Sequence, residues 1–257
     1  MAEIFFWVLL LFQKEGGVKI IGVIPARYAS SRFPGKPLAD IHGKPMIWWV
    51  YQTVSKVLDD VVVATDDERI IETCKSFNIA SIMTSDTHRT GVDRLTEVAA
   101  RYAADYYLLV QGDEPLLEKN TARKMVSIVN ASGVDNEVFT FKMAITNPID
   151  AVNSTIIKIV TNAENRVLFA SRSAIPYPKE SVDFAYYKSV GIYAYPRKVL
   201  KNYGSLRTSY IESVEEHDFM RLLENEIPVR AFPIDTATIS VDTPKDLERV
   251  RRLLLKI

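Results

Sequence analysis

The sequence predicts an α/β fold on a mainly parallel sheet, and two observations carry that expectation. From Val18 onward, short β-branched runs alternate with longer stretches whose apolar residues recur at helical spacing, the signature of repeated strand–helix–strand units. The two most unusual polar segments, PARYASSRFPGKP and QGDEP, each follow a strand-like run directly, where ligands of such sheets bind.

Taken in order, the first element is an apolar run, IFFWVLLLF, from Ile4 to Phe12. It is short of the roughly 20 residues a spanning helix needs. Glu3 precedes it, and no small-residue cleavage pattern follows in QKEGG, so it does not read as a secretory signal. Residues 1–17 are therefore expected to lie outside the fold, without stable membrane insertion, and residues 18–257 to form one continuous domain. Strands are expected at Lys19–Ile24, Val61–Thr65, Ile79–Met83, Tyr106–Gln111 and Val138–Ile145, with helices at Pro45–Lys56, Asp67–Phe77, Gly91–Tyr102 and Thr121–Asn130. After Ile145 the alternation changes. Residues 153–215, with strand-like runs at Thr155–Val160, Val167–Ala170 and Val190–Tyr195, read as a smaller, partly antiparallel lobe that covers the site and pairs subunits. An acidic helix near Ile211–Glu224 and a strand near Val229–Phe232 follow. Thr243, with Pro244 next and Asp246 three residues on, starts the closing helix.

Composition narrows the function. Lys plus Arg and Asp plus Glu number 32 each, so no global field exists to attract a nucleic acid polymer. The single cysteine, Cys74, and three histidines leave no Cys-based zinc site and fit a reducing, cytoplasmic compartment. Against that neutral background, Arg27, Arg32 and Lys36 crowd into the first loop with Ser30, Ser31 and Gly35. Backbone N–H groups, from Ala26 onward, and cationic side chains in such a loop suit an oligophosphate. The pattern is neither G-x-G-x-x-G nor a Walker A sequence. Asp113 and Asp242 each end a strand-like run and are candidate ligands for a hard divalent cation; helix capping is the alternative role for either.

Read together, PARYASSRFPGKPLADIHGKPMI, HRTGVDRL, VQGDEPLL, SRSAIPYP, VGIYAY and VDTPKDLERV resemble the 3-deoxy-manno-octulosonate (Kdo) cytidylyltransferases over nearly the whole chain from Val18. The resemblance implies a Rossmann-like fold of the sugar-nucleotidyltransferase type, usually dimeric. It also implies Mg²⁺-dependent condensation of CTP with Kdo for lipopolysaccharide assembly. Arg27, Arg32 and Lys36 would then meet the triphosphate, with Ala26, Ser30 and Ser31 beside them. Thr90, Gly91, Arg94 and Gln111 would hold the nucleotide, and Asp113 and Asp242 the metal. Gln111, Arg172, Lys188, Ser189, Tyr193 and Glu215 or Glu216 would meet the sugar acid. Two departures stand out. Ser189 occupies a position where the family commonly has His, so sugar binding is expected to vary little between about pH 6 and 8. The family's L-E-Q-L-R stretch is replaced within VEEHDFMR, which leaves its register open. Alternatives are a cytidylyltransferase for another acidic sugar or polyol and, from a different class, a non-catalytic nucleotide-binding scaffold.

Removing residues 1–17 is expected to leave activity, melting temperature and solubility unchanged or improved. Loss of more than about 1 kcal/mol on denaturant titration would show that the apolar run packs on the core.

Overall fold

A computed structural model of the chain describes residues 17–30, 32–133, 135–180, 184–236 and 239–255. Apart from Gly17, the N-terminal segment discussed above lies outside them, as does Ser31. The first strand, β1 (Ile20–Ala26), is buried at every residue but Pro25, as a strand covered on both faces must be. A small hairpin, β2 (Asp40–Ile41) and β3 (Lys44–Pro45), leads into α1 (Met46–Ser55), and β4 (Val61–Thr65), α2 (Glu68–Ser76) and β5 (Ser81–Met83) follow. The chain then returns through α3 (Gly91–Arg101) to β6 (Tyr106–Val110), α4 (Lys119–Ser132) and β7 (Val138–Ala144).

The sheet runs β5-β4-β1-β6 in parallel register. The strand order reverses between β1 and β6, so the loops after these two strands flank one crevice. Along β1, Ile20 and Ile24 pack with Ile47, Val50 and Val54 of α1, while Ile21 and Val23 pack with Val92, Leu95 and Val98 of α3. That division follows from the two-residue period of a strand. Gly22 is required by the first contact, because a Cβ there would stand 2.9 Å from Val54 Cγ1.

The expected α/β architecture is borne out, and the 153–215 region contributes in two ways. After α5 (Pro148–Val152), β8 (Lys158–Thr161) and β9 (Val167–Ser171) form an antiparallel pair at the side of the sheet. The long β10 (Tyr187–Pro196) instead enters the main sheet, antiparallel to both β6 and β7. A strand seen in sequence as part of a covering lobe is thus central, because its Ile192, Ala194 and Tyr195 are as apolar and buried as those of its neighbours.

Beyond β10 come α6 (Arg197–Tyr203), α7 (Tyr210–Glu215), α8 (Phe219–Glu224), β11 (Val229–Pro233) and α9 (Pro244–Leu254). The single acidic helix expected near Ile211–Glu224 is two helices. They break at Glu216, which is left-handed with φ 49°. The carbonyls of Glu215 and Glu216 accept hydrogen bonds from the Arg172 guanidinium, so helix α7 ends on a side chain distant in sequence. The closing helix starts as expected, with a reciprocal capping box between Thr243 and Asp246. Its Leu247 and Val250 join Val241, Ile41 and Met46 in a separate apolar cluster, which docks the C-terminal segment beside the first loop. No helix among the described residues is long and apolar enough to cross a membrane.

Candidate active site

The first loop closes on itself before it reaches any ligand. Gly35 adopts φ 71° and its N–H donates to the Tyr28 carbonyl at 2.8 Å, a left-handed turn that disfavours a side chain. The Ser30 hydroxyl accepts from the Phe33 N–H, and the Arg69 guanidinium lies over the Tyr28 ring. This folding directs Arg32 and Lys36 toward the loop after β6. Lys36 Nζ donates to Asp113 at 2.6 Å and lies 3.6 Å from Asp242, while Arg32 Nη2 donates to Asp242 at 3.1 Å. The Val241 N–H, donating to the Asp113 carbonyl at 2.9 Å, fixes the two acidic segments together. Gly112 lets the loop approach β1, since a Cβ there would sit 2.9 Å from the Pro25 carbonyl. Two cations and two carboxylates from three separated segments thus meet at the crevice.

Among the described residues no group of three or more His, Cys, Asp or Glu side chains forms a metal cage. Asp113 and Asp242 nevertheless fit Mg²⁺, which characteristically takes one or two carboxylates and completes its shell with phosphate oxygens and water.

At one end of the crevice, Thr90 caps α3 in a reciprocal box with Asp93. Gly91 lies against Pro25 and the Gln111 amide. Arg27 follows β1 directly, and its Nη2 is buried without a hydrogen-bond partner. Burial and the neighbouring Arg94 lower its pKa, with Asp66, Asp93 and Asp218 opposing. The structure does not bring Arg94 to the cleft surface: its side chain is fully enclosed and bonds to Asp66 at 2.8 Å and to Thr84. An Arg four residues after a cap can face inward or outward, and only the tertiary contacts choose.

A cleft of about 730 Å³ is lined by Gln111, Asp113, Arg172, Lys188, Tyr193 and Asp242. Lys188 and Ser189 precede an irregularity in β10, and Ser189 Oγ stands 3.5 Å from the Tyr193 hydroxyl. Burial lowers the Lys188 pKa, against Glu114 and Asp150. Glu216 lines the cleft, whereas the Glu215 carboxylate turns back to accept from the Ser171 hydroxyl at 2.6 Å and the Arg172 N–H at 2.9 Å.

Sequence reasoning missed two carboxyls in this cleft. Glu114, 3% exposed, accepts from the Ser240 hydroxyl at 2.5 Å; a Cβ on Gly191 would meet it at 2.8 Å. Burial, and then Asp113, raise its pKa to about 7. Its only signal was adjacency to Asp113. Asp218 lies just past the helix break, where burial and then Asp93 and Glu212 push it up to about 7, despite Arg221 and a hydrogen bond from Thr90. Its place could not be read while the register of VEEHDFMR was open.

Comparison with known proteins matches residues 21–232 to the family described as Cytidylyltransferase. The 3-deoxy-manno-octulosonate cytidylyltransferase of Escherichia coli is 41% identical over 242 residues, covering 92% of this chain and 96% of its own length. That of Geobacter metallireducens is 40% identical over 246 residues, covering 91% and 96%. A solved CMP:2-keto-3-deoxy-manno-octonic acid synthetase complexed with CTP superposes with TM-score 0.86 at 41% identity, over 93% of this chain and 99% of that one. A putative glucose-1-phosphate thymidylyltransferase from Bacillus anthracis, 15% identical with TM-score 0.69 over 93% and 96%, shares the fold.

Two buried groups in the cleft bear on the expected weak pH dependence of sugar binding. His217 is held near pKa 4 by burial and Arg172, so it stays neutral between pH 6 and 8, but Asp218 titrates in that window. A carboxyl whose folded pKa is raised stabilises the fold fully below its unfolded value near 4 and loses that contribution as pH rises through about 7. His217 works oppositely, and only below about pH 6.5. The ligand-free protein is therefore expected to melt at lower temperature as pH rises from 6.5 to 8, with a smaller slope in Asp218→Asn. Thermal melts of both across that range check it; identical slopes would mean the carboxyl remains solvated.

Proposed function

The chain belongs to the 3-deoxy-manno-octulosonate cytidylyltransferase family, and from that premise we propose the residue roles by which it transfers CMP from CTP to the anomeric hydroxyl of Kdo, giving CMP-Kdo and pyrophosphate. The observation that carries the reading is the partner exchange its charges permit. Arg32 and Lys36 are held by Asp113 and Asp242, two positive charges by two negative ones. Arg32 and Lys36 are placed to take the β- and γ-phosphates of CTP, and Asp113 and Asp242, which pair with them in its absence, are the residues that would hold Mg²⁺. Held there, Mg²⁺ would supply charge neutralisation at the phosphates and would lower the pKa of the attacking hydroxyl.

The remaining residues act by placement. The unpartnered Nη2 of Arg27 suits a phosphate oxygen, and the backbone at Ala26 and Ser30 supports the same anion. Thr90, Gly91 and Gln111 border the cytidine. Arg94 acts from beneath, holding Asp66 and Thr84 rather than touching the base. Arg172 takes the sugar carboxylate, with Lys188, Ser189, Tyr193, Glu216 and Asp218 around the hydroxyls. Attack at the α-phosphorus in line with the leaving pyrophosphate needs this gathering of anions more than a covalent nucleophile, and Lys36 and Arg32 stabilise the charge that develops on the leaving group.

The same proposal makes the protein a cytoplasmic homodimer. Leu168, Tyr177 and Phe184 are 58%, 85% and 45% exposed within the 153–215 region, large apolar side chains that a second copy could cover. Soluble-fraction protein sedimenting near twice 29.1 kDa is the expected result; a monomer at micromolar concentration would reject it.

Asp113→Asn and Asp242→Asn are each expected to lower pyrophosphate release from CTP and Kdo by about a thousandfold or more, with melting temperature little changed. Near-wild-type rates at saturating Mg²⁺ in either variant would remove that residue from the metal site.

A further inference from the structure

Lys158 is a buried cation whose place the proposed chemistry does not by itself explain. It is 0% exposed, and its ammonium donates to three backbone carbonyls: Asn153 at 2.8 Å, Ile156 at 2.7 Å and Arg172. Among the described residues it forms no direct ion pair. Burial and then Arg172 lower its pKa, with only Glu215 opposing. A buried charge held by carbonyls alone is costly, and a well-packed apolar chain would serve simple packing at least as well.

The three carbonyls all belong to the frame around Arg172. Asn153 and Ile156 flank Ser154, whose carbonyl accepts from Arg172 Nη1 at 2.9 Å. The third is the carbonyl of Arg172 itself. From the other side, the Glu215 carboxylate fixes the Arg172 N–H, while the carbonyls of Glu215 and Glu216 accept from Nε at 2.8 Å and Nη2 at 3.4 Å. Three of the five guanidinium N–H groups are thereby committed, which leaves one on each Nη nitrogen. The Glu216 carboxylate also stands 4.0 Å from Arg172 Nη2, so the two cations Lys158 and Arg172 face two carboxylates, Glu215 and Glu216, and without the Lys158 charge the group would be net negative.

We propose that Lys158 is a positioning residue: it braces the 153–156 loop and the Arg172 main chain so that the guanidinium presents its remaining N–H groups to the carboxylate of the sugar acid, and its charge offsets the second of the two carboxylates, Glu215 and Glu216, that surround Arg172. The proposal rests on Arg172 being the carboxylate's partner, so its test must separate the two.

The experiment measures KM for Kdo and for CTP, and the preference for Kdo over its carboxamide, in full-length wild type, Arg172→Lys, Lys158→Met and Lys158→Gln. Gln keeps two N–H donors for the carbonyls without the charge, which guards against a misfolded Met variant. Both Lys158 variants are expected to raise KM for Kdo about tenfold or more and to shrink the acid-over-amide preference, with KM for CTP within about twofold. Arg172→Lys should shrink the same preference. If it does while the Lys158 variants match wild type, Lys158 is only structural and the proposal falls alone. Equal rises in both KM values with a lowered melting temperature would overturn it as well. An unchanged preference in Arg172→Lys would reject Arg172 as the partner, and the proposal with it.

Discussion

Holding two carboxylates beside one another is the constraint on which the rest of this structure depends. Asp113 and Asp242 both lie within 4 Å of the Lys36 ammonium. Unscreened, like charges at such separations repel by about 1 to 4 kcal/mol, according to the local dielectric. Lys36 and Arg32 offset that repulsion, yet an ion cluster this accessible adds little net stability. The arrangement is instead imposed by apolar packing. Val241, Leu247 and Val250 dock on Ile41 and Met46, and the Val241 N–H closes the contact with Asp113. Hydrophobic burial at the C-terminus thus holds a charge arrangement at the end of β6.

The insertion of β10 joins the two halves of the cleft. Because it pairs antiparallel with β6, the chain that carries Lys188, Ser189 and Tyr193 runs back past the loop that carries Gln111 and Asp113. The Gln111 N–H donates to the Gly191 carbonyl at 2.9 Å, and Glu114 occupies the space a Cβ on Gly191 would need. The Gln111–Asp113 loop and the Lys188–Tyr193 strand are therefore coupled through backbone contacts, which preserve distances better than mobile side chains can.

At the far end, the break between α7 and α8 turns the chain toward the cleft. Arg172 takes the carbonyls that would have continued the helix, and the turn at Glu216 sets Asp218 into the cleft beside Thr90 and Asp93. The Arg221 guanidinium, forked onto Glu212 at 2.7 and 2.6 Å and 3.6 Å from Asp93, ties the new helix to α3. One side chain distant in sequence decides which acidic residues in VEEHDFMR face the cleft.

The sequence by itself determined whatever depends on neighbours along the chain. Strand Val61–Thr65 and the Thr243–Asp246 capping box lie where the pattern put them, because period and capping act within a few residues. The phosphate-type loop after the first strand and the acidic loop after YYLLV were legible for the same reason. Tertiary structure alone decided the facing of residues held by distant partners. Arg94 is sealed against Asp66 and Thr84, Glu215 turns inward to Ser171, Asp218 replaces it in the cleft, and β10 takes the middle of the sheet. Each outcome follows from contacts across tens of residues or more, where burial and hydrogen bonding override local preference, and no local spacing encodes them.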